Sequence, residues 1–353
     1  MPEMSEQQKE LLETHRNQSV DITKSLKQSE IISIQQNGKL KDFPFSVELI
    51  DSIIFKHPKN ITVSKLIETE NYFYINNLVQ SPVHNNVAQF NKDGTFIKSF
   101  GRKGRGPGEK TGIGVLVERS DTTFLFDNGY LKKFNKELTE FDREFIGLWA
   151  NKAYINNNNF DLNISANEYF PYPVTIINMD DYSIKLSLKD NRSDVFKTTT
   201  TNSNTFFSNE NLIIYAKTTL NLIHVLKKED KSVTHYEIRS DIIRENKKSL
   251  REDASPDEFV DFLETLFVTE KLHFHDQILW ILFRDGTDDN MKRYLAKVSN
   301  FFSQEGELTF DMYDLTKLKN NYNLNFRENH LNLSKRNESQ GETTLYQIKL
   351  DQI

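Results

Sequence analysis

The feature that most restricts the fold of this chain is an internal repeat. Asn71-Tyr-Phe-Tyr-Ile75, Asn86-Val-Ala-Gln-Phe-Asn-Lys-Asp-Gly94 and Thr95-Phe-Ile-Lys-Ser-Phe100 return as Thr122-Thr-Phe-Leu-Phe126, Tyr130-Leu-Lys-Lys-Phe-Asn-Lys-Glu137 and Leu138-Thr-Glu-Phe141. Short runs of β-branched and aromatic residues broken by Asn, Asp, Lys and Gly are the pattern of strands and turns. Weaker copies follow at Thr175–Asp180 with Tyr182–Leu186, Leu222–Lys228 with Ser232–Tyr236, Tyr294–Val298 with Glu307–Phe310, and Thr344–Leu350. Anchors at Phe90, Phe134, Ile177, Leu226, Val298 and Leu350 are separated by 44, 43, 49, 72 and 52 residues. A period of roughly 40–50 residues with about four strands per unit is that of a propeller blade, so six anchors predict an all-β, six-bladed β-propeller with four-stranded blades.

The long step of 72 has a local cause. Ser255-Pro-Asp-Glu-Phe-Val-Asp-Phe-Leu-Glu-Thr-Leu-Phe267 reads as an inserted helix before the fifth blade's third strand. Ser255 caps it, Pro256 suits the first turn, and Asp257 and Glu258 complement the dipole. Phe259, Phe262, Leu263, Leu266 and Phe267 form one apolar face. The last unit ends one strand short, and Ser46–Phe55 offers an extra strand before the first full unit. That segment is expected to complete the sixth blade as its outer strand, which leaves no blade unpaired. Residues 1–30 are polar and read as a short helix or arm, with Ser5 and Gln8 spaced as a capping box. Residues 31–353 then form the propeller, with the helical insertion near 241–267.

Six of the thirteen glycines lie between Gly101 and Gly114. Clustered glycine marks a backbone that turns sharply or approaches another group closely. The spacing of Gly101, Gly104, Gly106 and Gly108 fits neither a dinucleotide fingerprint nor a Walker A loop. The stretch reads as a crossover between blades. Its amides, with Arg102 and Arg105 around Glu109, also form a candidate site for a phosphate or carboxylate.

Phe90-Asn-Lys-Asp-Gly-Thr-Phe-Ile-Lys-Ser-Phe-Gly-Arg-Lys-Gly-Arg-Gly-Pro-Gly-Glu109 resembles the six-bladed, NHL-like β-propeller proteins abundant in Bacteroidetes and mostly uncharacterised. The match covers roughly residues 70–145. The resemblance implies six four-stranded blades, export and lipid anchoring, and carries no catalytic residue. This chain departs from it in showing neither a signal segment nor a lipobox cysteine. Its expected location is cytoplasmic as given, or periplasmic or cell-surface if a signal has been removed.

Composition narrows the function classes. A net charge of −6, with no long basic run, argues against nucleic acid or an anionic membrane as partner. The absence of cysteine removes disulfides, thiolate metal sites and a cysteine nucleophile. No apolar run is long enough to span a membrane. In Leu272-His-Phe-His-Asp276 strand alternation puts His273 and His275 on one face, where with Asp276 they are candidate ligands for a divalent metal, calcium or zinc. The expected role is a monomeric, non-catalytic binding module for a peptide, glycan or protein. The alternative is a metal-dependent hydrolase or lactonase-like enzyme with its site at the mouth of the central channel.

Overall fold

In the computed structural model the repeated Phe-Asn-Lys motif is a hairpin turn. The backbone N–H of Asn91 donates to Thr95 O at 2.9 Å and that of Asn135 to Thr139 O at 3.1 Å. Phe90 and Phe134 before them are fully buried. Gly94 and Leu138 hold the same left-handed position, at φ 88° and 57°. The two positions differ in surroundings. A Cβ on Gly94 would lie 2.6 Å from the Ile54 carbonyl oxygen, whereas Leu138 buries its side chain. The structure describes residues 6–46, 50–56, 63–77, 87–104, 109–110, 115–164, 170–192, 204–243, 255, 258, 262, 265–286, 291–302, 307–318, 322–337 and 342–353.

The fold is all-β with a propeller-like arrangement of blades, and the chain divides into two compact units. One unit comprises Phe45–Ile155 and Asn321–Ile353. Its first blade is the antiparallel series Val63–Glu68, Phe73–Asn77, Val87–Phe90 and Phe96–Phe100. The second is Val115–Arg119, Thr122–Asp127, Gly129–Phe134 and Glu140–Leu148. In the closing blade Asn323–Arg327, His330–Asn337 and Glu342–Lys349 are completed by Ser52–Lys56, which pairs antiparallel with the last of them. The expected outer strand from the N-terminal side is therefore present. Val47–Leu49 of that expected strand lie outside the described residues.

Apolar side chains fill the spaces between these blades. Phe55 and Leu345 of the closing blade pack with Phe73, Ile75, Ala88 and Phe90 of the first. Tyr74, Val87 and Phe100 pack with Leu116, Leu125 and Phe134 of the second. Such burial removes apolar area from water at about 25 cal/mol per Å². Polar bonds fix the register: Asn332 donates to Glu68 at 2.9 Å, and Thr69 donates to Glu118 at 2.6 Å.

The other unit comprises Met1–Pro44 and Asn156–Asn320. It contains the antiparallel strands Asn159–Ile164, Val174–Asn178 and Ile184–Lys189, and a ten-stranded sheet. Within that sheet lie two antiparallel runs. The first is Asn204–Ser208, Leu212–Lys217, Leu222–Lys227 and Val233–Arg239. The second is Phe267–His275, Ile278–Asp285, Lys292–Val298 and Leu308–Asp314.

A strap from the N-terminal segment runs along the outer strands of this unit. Ser19–Asp21 pairs parallel with 187–189, Ile31–Gln35 with 235–239, Ile34–Gln36 with 308–310, and Lys41–Asp42 with 313–314. Ahead of it the helix Glu6–Asn17 is polar except around His15, which is fully buried. The His15 ring stacks on Tyr172 at 4.9 Å, and its Nδ1 lies 2.7 Å from Ser187 Oγ.

The insertion differs from expectation in two ways. Ser255 caps as anticipated, with Glu258 N–H donating to Ser255 Oγ at 3.2 Å and Ser255 N–H to Glu258 Oε2 at 2.8 Å. However, among the described residues only Glu258 and Phe262 are helical, Thr265 is already a turn, and Phe267 begins a strand. Phe267 belongs to the strand that follows, and Leu266 to the connection before it. The insertion also precedes the first strand of its run and not the third, because 267–275 and 278–285 are themselves strands. Pro256, Asp257, Phe259 and Leu263 lie outside the described residues.

Candidate interaction surface

The second blade ends in the nine-residue strand Glu140–Leu148, which among the described residues pairs only with Gly129–Phe134. Its ladder is regular over 142–145 alone. Register shifts fall between Lys133 and Phe134 and between Gly129 and Tyr130, leaving Phe141 and Ile146-Gly147 as bulged residues. Bulges bend an edge and spoil it as a template for another strand. Side chains, and not a regular backbone edge, are what this strand presents at the surface.

The exposed aromatic residues on and beside this strand are Phe141 at 59%, Phe145 at 51%, Trp149 at 51% and Tyr130 at 39%. Three of them gather at one turn. Asn128 and Gly129 have φ of 51° and 83° and reverse the chain ahead of Tyr130. The Tyr130 and Phe145 rings meet edge to face at 5.0 Å. Trp149 Nε1 donates to Asn128 Oδ1 at 3.1 Å, tying the indole to the same turn. Phe145 reaches over Gly129, where an added Cβ would lie 3.1 Å from its ring. Large rigid rings fixed in this way supply contact area at small entropic cost.

The glycine-rich stretch is a crossover between the first and second blades. Arg102–Lys103 and Glu109–Lys110 pair with each other in parallel, so the loop closes on itself. Lys132 donates to the Glu109 carbonyl oxygen at 2.5 Å and to Asp127 Oδ2 at 2.7 Å, with both ionic side chains almost fully buried. The Glu109 carboxylate folds against Gly104, where a Cβ would lie 2.0 Å from Oε2. Arg105 and the Arg102 side chain lie outside the described residues.

His273 and His275 share a strand face as expected, with ring centroids 6.3 Å apart. His273 is buried edge-on to Phe207 at 5.4 Å, and His275 Nε2 lies 3.1 Å from Asp276 Oδ2. Among the described residues no three His, Asp or Glu side chains have the geometry to hold a metal ion.

A buried polar network escaped the sequence reading. Asp190 accepts from Arg192 Nε at 2.8 Å and Nη2 at 2.6 Å, and from the Tyr215 hydroxyl at 3.0 Å. Lys217 donates to the Arg192 carbonyl oxygen. Opposite each other in register, His224 and His235 bring their Nδ1 atoms within 2.7 Å, and His235 Nε2 lies 3.0 Å from Ser25 Oγ. Burial pushes the Asp190 carboxyl up, but Arg192 and Lys217 outweigh it and hold it at about 2. Burial, reinforced by the Arg192 charge, lowers both histidines and keeps them neutral at ordinary pH. Through the His235–Ser25 contact this network fastens the strap helix Ile22–Leu26 to the sheet, while His224 Nε2 is buried with no hydrogen-bond partner among the described residues. The available signal was the hairpin pairing of Leu222–Lys227 with Val233–Arg239, which sets the two histidines opposite each other.

No family model matches the chain, and no curated protein matches it. Among solved structures it is similar to a member of the DUF4221 family from Bacteroides vulgatus, at 10% identity and a TM-score of 0.59, over 85% of this chain and 96% of that one. It is also similar to an exported-protein candidate from Bacteroides fragilis, at 11% identity and a TM-score of 0.57, over 91% and 99% of the two chains. U3-55K aligns at 9% identity with a TM-score of 0.50, over 84% of this chain and 98% of that one. Likeness at these identities speaks to the fold alone. No helix among the described residues is long and apolar enough to cross a membrane.

Proposed function

We propose that the chain is a non-catalytic binding module built on six blades, which docks a protein or peptide partner on the aromatic surface of the second blade. The count of six is supported by the two antiparallel four-strand runs inside the ten-stranded sheet, whose ladders are joined through the parallel strand Ile31–Gln36. The observation that carries the binding role is the cluster of Tyr130, Phe145 and Trp149, each 39–51% exposed and fixed around one turn. Exposed rings of this kind, rimmed by polar residues, characterise interaction sites. The proposal extends to location, with export to the periplasm or cell surface as for the exported-protein candidate among the similar structures. Cell fractionation checks that part.

Selection of displayed peptides on the full chain, with an immobilised glycan panel in parallel, tests the docking surface. Binders are expected to lose at least about tenfold in affinity for the double variant Phe145→Ser/Trp149→Ser. Peptide binders indifferent to that variant, or binding by glycans alone, would overturn the choice of surface or partner. Stoichiometric calcium or zinc in the purified protein, together with turnover of an ester or lactone, would establish the hydrolase in its place.

A further inference from the structure

A polar cleft lies elsewhere, in the unit that carries the strap. It has a volume of about 270 Å³, just below the ~300–1,000 Å³ range of small-molecule sites. The strap forms one wall through Asn37, whose backbone N–H donates to Phe310 O at 2.8 Å. The turn after Lys292–Val298 forms another, with Ser299 and Asn300, the latter at φ 51°. Glu307 and Thr309 approach from the outer strand. Leu308 is the one aliphatic residue among these walls.

Of the three charged side chains lining the cleft, Asp311 and Lys297 have partners within the protein, and Glu307 is exposed. Asp311 Oδ2 lies 2.8 Å from Lys41 Nζ. The Lys297 ammonium sits 5.2 Å from the centre of the Trp280 ring. The other polar lining side chains are four neutral groups and the Glu307 carboxylate, which offers acceptors only. Asn37, Ser299, Asn300 and Thr309 line the cleft with exposed side chains, and Asp311 Oδ1 is buried without a hydrogen-bond partner among the described residues. Both donors and acceptors therefore face a space of small-ligand size with little apolar wall. An apolar ligand would forfeit these bonds. An anion would meet the Glu307 and Asp311 carboxylates, and a cation would meet the Lys41 and Lys297 ammonium groups. A molecule with many hydroxyl groups donates and accepts at each of them and matches the walls without disturbing either pair.

We propose that this cleft binds a neutral polyhydroxylated ligand of about monosaccharide size, held between the strap and the strand Leu308–Asp314. It is separate from the aromatic surface and independent of the role assigned there. The test is calorimetric titration of the full chain with neutral hexoses, N-acetylated hexosamines and linear polyols. Lysine, glutamate and inorganic phosphate serve as charged comparators. At least one neutral sugar or polyol is expected to bind saturably. Its affinity should fall about tenfold in Asn300→Ala and in Glu307→Gln, two exposed positions whose replacement leaves the core intact, and stay unchanged in Phe145→Ser. Absence of saturable binding by every neutral ligand would overturn the proposal, as would binding that neither cleft variant weakens or a preference for the charged comparators.

Discussion

The outer strands of the two units meet the problem of an open sheet edge in different ways. In one unit the chain seals its own edges, because the strap adds parallel strands to 187–189, 235–239, 308–310 and 313–314. In the other, the closing blade borrows Ser52–Lys56, while the second blade ends in a bulged strand with exposed rings. An unpaired strand edge is a template for any passing strand, so it is covered, bent or charged. The difference teaches that covering and display are alternatives. The sealed edges are held by backbone bonds and bury polar networks beneath the strap. The bulged one gives up backbone pairing and turns aromatic side chains outward.

The largest expected effect comes from breaking the seal. Ile34 is fully buried in the strap strand that is paired on both sides. Ile34→Asp places an unpaired charge there and should cost more than about 4 kcal/mol, seen as a lower midpoint in urea unfolding. Unchanged stability would mean that the strap holds little of the unit together.

Acid should loosen the same unit next. Burial lowers the His15 pKa from 6.5 to about 4, so as pH falls the unfolded chain takes up protons first. The contribution of His15 is complete above pH 6.5 and is lost progressively as pH falls to about 4, on the order of 3 kcal/mol in all. His224 and His235 add to it with the same sign. Unfolding measured across this range should be steeper for the native chain than for His15→Phe. The described residues of the other unit contain no buried histidine and should supply no matching slope.

The smallest effect on stability is expected at the aromatic surface. Phe145→Ser and Trp149→Ser replace half-exposed rings outside the core, each losing one ring pair or hydrogen bond, and should each cost about 1 kcal/mol. A large loss would show that these rings support the blade and do not await a partner.

The repeat made most of the blades legible, because alternating apolar residues and turn chemistry act over short stretches. Phe90 and Phe134 marked the same buried strand end, and Gly94 and Leu138 the same left-handed turn position. The strap was not legible. Ser19–Asp21 and Lys41–Asp42 are too short and polar to show periodicity, and parallel pairing across more than 160 residues leaves no local trace. His15 looked like one polar residue on a polar helix, since nothing nearby in sequence announces Tyr172 or Ser187. Rings at 130, 141, 145 and 149 were indistinguishable from core aromatics, because bulges shift the alternation that would separate the two faces. The glycine-rich stretch was legible as a junction, and its closure on itself explains why its anionic residue folds inward against Gly104.

Hydrogen exchange followed amide by amide on the full chain compares the two kinds of edge most directly. The amides of 187–189, 235–239 and 308–310 that bond to the strap should exchange orders of magnitude more slowly than the outward amides of Glu140–Leu148, which should exchange nearly as fast as an open loop. Equal protection at both edges would contradict the distinction, since it would require a strand to cover 140–148 as the strap covers the others.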